Sequence, residues 1–480
     1  MTVIAPWLTH SRLLPLTVFA LLVRAVTFGN PIVNVDEEFY YTVGHFMARG
    51  TIPYVDIWDR KPFGLFLLYL PAGLFDPPTG IYVYQGIALV ATVSTASIIK
   101  RVADHEGWQR GGTFAALLYI ASLNLADGQG GQAPVFYNLL TAAAALLIVS
   151  ATDLPPDRRR RFGIGAMALI GLALQIKYSV VFEGIGFGLW LLWQERHQRP
   201  RLRTTIAYAA FLCAAALLPT AVVGAAYWLA GHDHAFVYAN FLSIIARRPD
   251  PIGESLGNLA VAAALLAPLL LLAMIGARRQ SRPPRFVLYW LAASVFGFLI
   301  FGSWFNHYTL PVMLPAAIAA AAFIADRRFG RTIAAILIVL IVAAGQYILQ
   351  AERQTRGTPA QFATLASAIG RGPGALYVYQ GSAILYPVTG RPALTRYLFP
   401  THLMLLREQG AVGIDQGAEI DRIFDRRPEI VVLQSPEDGE DPAKRALAMR
   451  RLRTDGYRRY ARLPLGNKLF DLFRRPTAKT

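Results

Sequence analysis

The sequence has a single cysteine in 480 residues, Cys213, set inside an apolar run. One thiol excludes an intramolecular disulfide and any metal site built from several cysteines. Charge is scarce as well. Only 16% of the residues are Asp, Glu, Lys or Arg, where a soluble domain carries about 25%. Acid is the scarcer sign, with 30 Asp and Glu against 47 Lys and Arg. This composition excludes intrinsic disorder, a collagen-like repeat and a disulfide scaffold. What fills the chain is apolar: 54% of residues are hydrophobic and mean hydropathy is +0.38. Most of the chain therefore reads as lying in lipid.

Apolar segments recur through the first 350 residues: Leu13–Phe28, Ile81–Ile99, Gly112–Leu125, Val135–Ala151, Phe162–Gln175, Val180–Trp193, Thr205–Ala230, Leu259–Ile275, Phe286–Phe301, Tyr308–Ala325 and Thr332–Leu349. Several reach the roughly 17–25 residues that a spanning helix needs. The short pair at 162–175 and 180–193 predicts a hairpin of helices. Lys and Arg set the orientation. One set of loops carries Lys100, Arg101, Arg110, Arg158 to Arg161, Arg196, Arg199, Arg201, Arg203, Arg278, Arg279, Arg282, Arg285, Arg327, Arg328 and Arg331. The other set carries only Arg49, Arg60, Lys61, Lys177, Arg247 and Arg248. The richer side is cytoplasmic by the positive-inside rule. The excess of positive charge is thus mostly topology, and nucleic acid is not expected as a partner. The N-terminus is expected inside, followed by about eleven spans, with the C-terminus outside.

After Leu349 the texture changes. Residues 351–480 hold 21 Lys and Arg and 13 Asp and Glu, with no span-length apolar run. Strand-like runs at Ala375–Tyr379 and Glu429–Leu433 and a charged helix-like stretch at Pro442–Arg453 predict a small extracytoplasmic α/β domain. The expected organisation is a transmembrane domain over 1–350, with a first outer loop at 30–80, and the α/β domain over 351–480.

That outer loop concentrates the chemistry. Five of the acidic residues lie between Asp36 and Asp59, among Tyr40, Tyr41, Tyr54 and Trp58, with Lys61 just beyond. Residues Glu38–Ala48 predict a short amphipathic helix at the interface. Carboxylates beside a membrane can bind a divalent cation, act as a general base, or form a solvated loop. The surrounding aromatics would hold them in place. A carboxylate and an ammonium suit a lipid-phosphate substrate attacked by a hydroxyl: one takes the proton, the other stabilises the departing phosphate.

Asp36-Glu37, followed by Pro-Tyr-x-Asp-x-Trp-Asp-x-Lys-Pro from Pro53 to Pro62, resembles the first periplasmic loop of the GT-C membrane glycosyltransferases. The nearest branch is the protein-mannosyltransferase-like and aminoarabinose-transferase-like group. Phe305-Asn306-His307-Tyr308-Thr309-Leu310-Pro311 is similar to that group's His-Tyr-x-x-Pro element. Leu376 to Gly381, with Tyr386 and Gly390-Arg391-Pro392, is similar to the start of its outer C-terminal domain. The resemblance implies a polytopic α-helical GT-C fold and inverting transfer of a sugar from a polyprenyl-phosphate donor. The implied acceptor is an envelope lipid, glycan or protein, and the implied location is the outer face of a bacterial inner membrane. It also implies Asp36 as base, Glu37 as its neighbour at the acceptor, and Lys61 and Lys177 as donor-phosphate ligands. Asp56, Asp59, His307 and Tyr308 are carried as further substrate contacts. No cofactor is certain, and a divalent metal ion is the one candidate. Relatives carry a Glu near the position of Pro134, where this chain has Asp127, Gln129 and Gln132 but no Glu.

Other polar residues weigh less. Arg24, inside the first span, is expected to face the bundle or snorkel outward. His232-Asp233-His234 lacks a further ligand nearby and is a poor metal signal. Arg247-Arg248 could meet a phosphate. Gly128 and Gly130-Gly131 form a turn, with no Lys-Ser/Thr following to make a phosphate loop. Two other functions fit the composition: a transporter or flippase, and a non-catalytic assembly subunit. The absence of internal repeats speaks against the first, and the intact Asp36, Lys61 and Lys177 against the second.

Overall fold

The computed structural model describes residues 10–198, 200–278 and 285–475. Arg199, Arg279 and Arg282, part of the charge asymmetry, lie outside the described residues. The chain divides into two compact units. The first comprises Met1–Val26, Gln85–Val223 and Pro251–Leu349, the second Thr27–Tyr84, Gly224–Asp250 and Gln350–Thr480. One division falls at residue 350, and residues 27–84 fall in the same unit as the C-terminal segment.

The first unit is a helical bundle. Each of the eleven apolar segments contains a helix. Among the described residues six helical stretches are long and apolar enough to cross a bilayer: Pro77–His105, Ala133–Ser150, Leu202–Leu229, Ile252–Ala277, Asn306–Asp326 and Gly330–Ile369. The chain is a multi-pass membrane protein, and eleven stays the number expected from hydropathy. Several helices open with proline in the first turn, among them Ala133–Ser150, Pro156–Leu174 and Leu310–Asp326. Proline suits that place because its φ is already helical and its missing N–H would have no intrahelical partner.

Helix Leu310–Asp326 forms the buried centre. Its Ala-rich run is covered from Val312 to Ile324. Small residues let neighbours approach closely, the packing device of membrane helices. A Cβ on Gly111 would strike the Ala321 backbone, and one on Gly276 would reach the Phe323 nitrogen at 2.8 Å. Helix Leu202–Leu229, apolar all round, is mostly uncovered, as a lipid-facing helix should be.

The predicted hairpin is present as Pro156–Leu174 and Val181–Arg196. At one end Arg160 binds Glu195, with nitrogen-to-oxygen distances of 2.7 and 3.2 Å. At the other end the chain turns through Lys177 and the short 3-10 helix Tyr178–Val180. Nineteen residues of helix rise about 28 Å, close to a hydrocarbon thickness of about 30 Å. The arginine-rich end and Lys177 are thus a membrane's width apart, as the charge asymmetry requires.

In the second unit the outer loop holds two helices, Val35–Met47 and Phe63–Gly73. The first begins three residues earlier than expected, because the Asn34 side chain caps it by accepting from the Asp36 N–H at 2.9 Å. The second was not expected as an element of its own. The two helices cross at Gly44 and Gly73, where a Cβ on either would overlap the other's backbone.

The C-terminal segment carries four strands: β1 Leu376–Gln380, β2 Ile430–Gln434, β3 Arg458–Leu465 and β4 Lys468–Arg474. Their order is β1-β2-β4-β3. β1 and β2 run parallel, with Val378 beside Val432, and β4 is antiparallel to both β2 and β3. The two expected strands and the helix Pro442–Thr454 are all present. The β3–β4 hairpin was not expected.

Candidate active site

The candidate residues fall in both units, five in the second and three in the first. In the second unit Asp36 is half-buried in the first turn of helix Val35–Met47, followed by the buried Glu37 and Glu38. A helix N-terminus favours such negative charge. Tyr40, from the same helix, meets Tyr69 at 5.6 Å between ring centres, and Tyr69 lies in the field of Glu37 and Asp36. The Lys61 ammonium lies 5.7 Å from the centre of the Tyr40 ring. Lys61 and the two acids therefore flank the same tyrosine pair.

The rest of the loop motif builds the loop itself. Asp56 Oδ2 accepts from the Ile52 N–H at 2.7 Å and closes a turn. Within that turn Tyr54 has φ +69°, and its N–H donates to the Ile57 carbonyl at 2.6 Å. The Tyr54 hydroxyl donates to the Lys61 carbonyl at 2.8 Å, and the Tyr227 hydroxyl to the Pro53 carbonyl at 3.1 Å. Trp58 is buried in the core of the α/β fold among Tyr379, Tyr397, Leu403 and Leu433, and its N–H donates to the Arg396 carbonyl at 2.9 Å.

Asp59, expected at the substrate, is buried. Its Oδ1 accepts from the Arg60 N–H at 2.7 Å and lies 3.6 Å from His402 Nε2. Asp56 and Asp59 thus both make contacts that shape the loop. Arg60 reaches Glu408 with contacts of 3.0 and 2.5 Å, and Arg247 joins the same carboxylate at 3.0 Å. Arg247, read as a phosphate ligand, has this carboxylate as its partner. Burial pushes Glu408 up, but Arg60, His402 and Arg247 outweigh it and bring its pKa down to about 2. His402 is held below the ordinary histidine value by burial, against the pull of Asp59.

Glu38 was missed by sequence reasoning. It is buried and accepts a hydrogen bond from the Ser382 hydroxyl, just after β1. Burial pushes its pKa up to about 7, against the Ser382 bond and the charge of Arg356.

In the first unit Lys177 lies at the hairpin turn, its ammonium 4.1 Å from the centre of the Tyr308 ring. Such a contact is a cation–π interaction. His307 stands edge-on to Tyr308 at 4.5 Å, and its Nδ1 lies 4.0 Å from Asp127 Oδ2. Asp127 adopts φ +57° in the turn ahead of helix Ala133–Ser150. The structure thus brings Lys177, His307 and Tyr308 together. Lys177 and Tyr308 line an open cleft with Tyr137, Ser179, Phe182 and Glu183. Glu183 was also missed. The signal was present, since an acid inside an apolar spanning run is costly unless it serves a purpose.

Arg24 faces the bundle, as one of its two expected placements had it: it is buried and donates to the Gly128 carbonyl. Among the described residues no group of three or more His, Cys, Asp or Glu side chains converges, at His232–His234 or elsewhere.

Residues 59–224 match the family described as dolichyl-phosphate-mannose-protein mannosyltransferase. Over nearly the whole chain the fold matches crystal structures of ArnT from Cupriavidus metallidurans. The structure bound to undecaprenyl phosphate matches with TM-score 0.61 at 14% identity, covering 97% of this chain and 98% of that one. The apo structure matches with TM-score 0.62 at 15% identity, covering 96% and 98%. No curated protein sequence matches the chain significantly. The chain has the fold of the GT-C glycosyltransferases, and its resemblance to the mannosyltransferase-like and aminoarabinose-transferase-like group holds.

Proposed function

We propose that this chain of GT-C fold is an inverting glycosyltransferase. It moves a sugar from a polyprenyl-phosphate donor to a lipid, glycan or protein acceptor on the outer face of a bacterial inner membrane. The observation that carries this is Lys177. It is a cation at the turn of a helical hairpin, set over the Tyr308 ring at the edge of a cleft, within the stretch that matches the family pattern. A lipid phosphate needs such a cation near the membrane surface. The ArnT structure solved with undecaprenyl phosphate supports a polyprenyl phosphate as the lipid of the donor.

The chemistry follows from the charges. Asp36 takes the proton of the acceptor hydroxyl, and the oxygen attacks the anomeric carbon. The bond from that carbon to the phosphate oxygen breaks, and its electron pair leaves with the polyprenyl phosphate. Lys61 and Lys177 stabilise the negative charge that develops there. Glu37 positions the acceptor. Tyr308 and His307 steady the Lys177 ammonium, with His307 held by Asp127.

The carboxylate–imidazole pairs Asp59–His402 and Asp127–His307 offer two protein ligands each. That is one short of the usual three in a catalytic zinc site. The test is transfer by the reconstituted chain, supplied with a panel of radiolabelled polyprenyl-phosphate sugars and envelope fractions as acceptors. Transfer of label from one donor supports the proposal. Movement of labelled lipid across the membrane without transfer would make the chain a flippase.

A further inference from the structure

Glu183 has no part in the reaction described above, yet it lies in the same cleft as Lys177. It is 4% exposed, in the first turn of helix Val181–Arg196. Its Oε1 accepts from Trp290 Nε1 at 2.6 Å and from the Ser294 hydroxyl at 3.2 Å. Both donors belong to helix Arg285–Phe301, which packs closely because Gly186 and Gly297 carry no side chain: a Cβ there would meet Ala293 at 2.8 Å and Phe182 at 2.7 Å. Holding these helices together requires one acceptor oxygen and no charge, and glutamine would serve. Among the described residues both hydrogen bonds fall on Oε1, which leaves Oε2 for a ligand.

The cleft has an amphipathic lining. Tyr137, Phe182, Phe298, Phe301 and Tyr308 give it aromatic walls, while Lys177, Ser179, Glu183 and Ser294 are its polar groups. An isoprenoid tail would need only the walls. A sugar needs both: flat C–H faces against aromatic rings, and acceptors for its O–H or N–H groups.

We propose that Glu183 is the sugar-recognising residue of this cleft. Its carboxylate accepts a hydrogen bond from a hydroxyl or ammonium group of the donor's sugar, while Lys177 holds the donor's phosphate. The proposal rests on the donor-phosphate role of Lys177 given above and adds the specificity residue.

The test measures binding of lipids to the full chain in nanodiscs. The probes are undecaprenyl phosphate alone and undecaprenyl phosphate carrying mannose, galactose or an amino pentose. The wild-type chain should prefer at least one sugar-bearing probe over the bare lipid phosphate. Glu183→Gln keeps the oxygen that Trp290 and Ser294 use, so a merely structural role predicts no change. Sugar recognition predicts that the preference falls about ten- to hundredfold, the effect of a lost hydrogen bond to a charged group, with affinity for the bare lipid unchanged. Ser294→Ala, which frees the carboxylate from one restraint, should lower the preference partly and serves if the first variant does not fold. The favoured probe tells a hydroxyl from an ammonium. A wild-type chain with no sugar preference, or a preference untouched by both variants, overturns the proposal. Lys177→Ala separates the two claims. If it leaves binding of the bare lipid phosphate unchanged, the phosphate assignment fails, whatever Glu183 does.

Discussion

The Lys177 ammonium lies 4.1 Å from the centre of the Tyr308 ring, joining a turn between two short helices to the entry of the buried helix Leu310–Asp326. The ring offers electron density to the cation without neutralising it.

Removing that charge should weaken donor binding more than it weakens the fold. Lys177→Ala is expected to raise the Kd for undecaprenyl phosphate about ten- to hundredfold, as for one charge-assisted contact. Lys61→Ala should behave alike. Titration in nanodiscs, with thermal unfolding as the control, checks both, and unchanged affinity in both removes the role.

The Arg60–Glu408–Arg247 cluster predicts a stability effect. Glu408→Gln leaves two largely buried guanidinium groups without their carboxylate. Breaking a buried pair in this way typically costs about 3–5 kcal/mol. Denaturation of the purified chain should show a loss of that order, and a loss under about 1 kcal/mol would mean the cluster is solvated.

Glu38 predicts a pH dependence of opposite sign to that of an ordinary ion pair. Its folded pKa of about 7 lies above the ordinary 4.5, so the folded state binds its proton more tightly. The stability this adds is complete below about pH 4.5 and is lost as pH rises through 7. Glu408, depressed to about 2, acts in a separate window: its contribution is present above 4.5 and fades as pH falls towards 2. His45, lowered to about 4 by burial, and His402 oppose Glu38 below pH 6.5. Comparing Glu38→Gln with wild type isolates the term. Between pH 5 and 8 the wild type should lose up to about 3 kcal/mol relative to the variant. Parallel stability curves would contradict this.

Much of this architecture was legible in the sequence, and the misses share a cause. The apolar segments announce themselves because a helix in lipid must be apolar over a fixed length. β1 and β2 do so because both their faces are buried. The β3–β4 hairpin hides because its exposed arginines blur the alternation, although Gly466-Asn467 between the strands was a usable turn signal. In the loop the acids and aromatics stand out, but their division of labour was not visible. Arg60 and Glu408 are 348 residues apart, Glu38 and Ser382 are 344 apart, and nothing local pairs them. The Asp59–His402 contact is hidden for the same reason. His402 lies in a different fold element.

Topology gives a further check. Cysteines placed at Ile52 and Thr454, both exposed, in a Cys213→Ala background should react with a membrane-impermeant maleimide added from outside. Labelling only from the cytoplasmic side would invert the topology and remove the outer-face reaction.

The most direct measurement of the central claim is single-turnover sugar transfer by Asp36→Asn. An acceptor hydroxyl must lose its proton as the new bond forms, and an amide cannot take it. Loss of a general base commonly costs about 10²–10⁴-fold in rate. Asn can stand in the same helix turn, and the cap joins the Asp36 N–H to the Asn34 side chain without using the Asp36 carboxylate. The expected result is a folded protein that binds polyprenyl-phosphate donor as wild type does and transfers sugar at least about a hundredfold more slowly. Transfer at a near wild-type rate by that variant would contradict Asp36 as the base, and with it the reaction proposed for this chain.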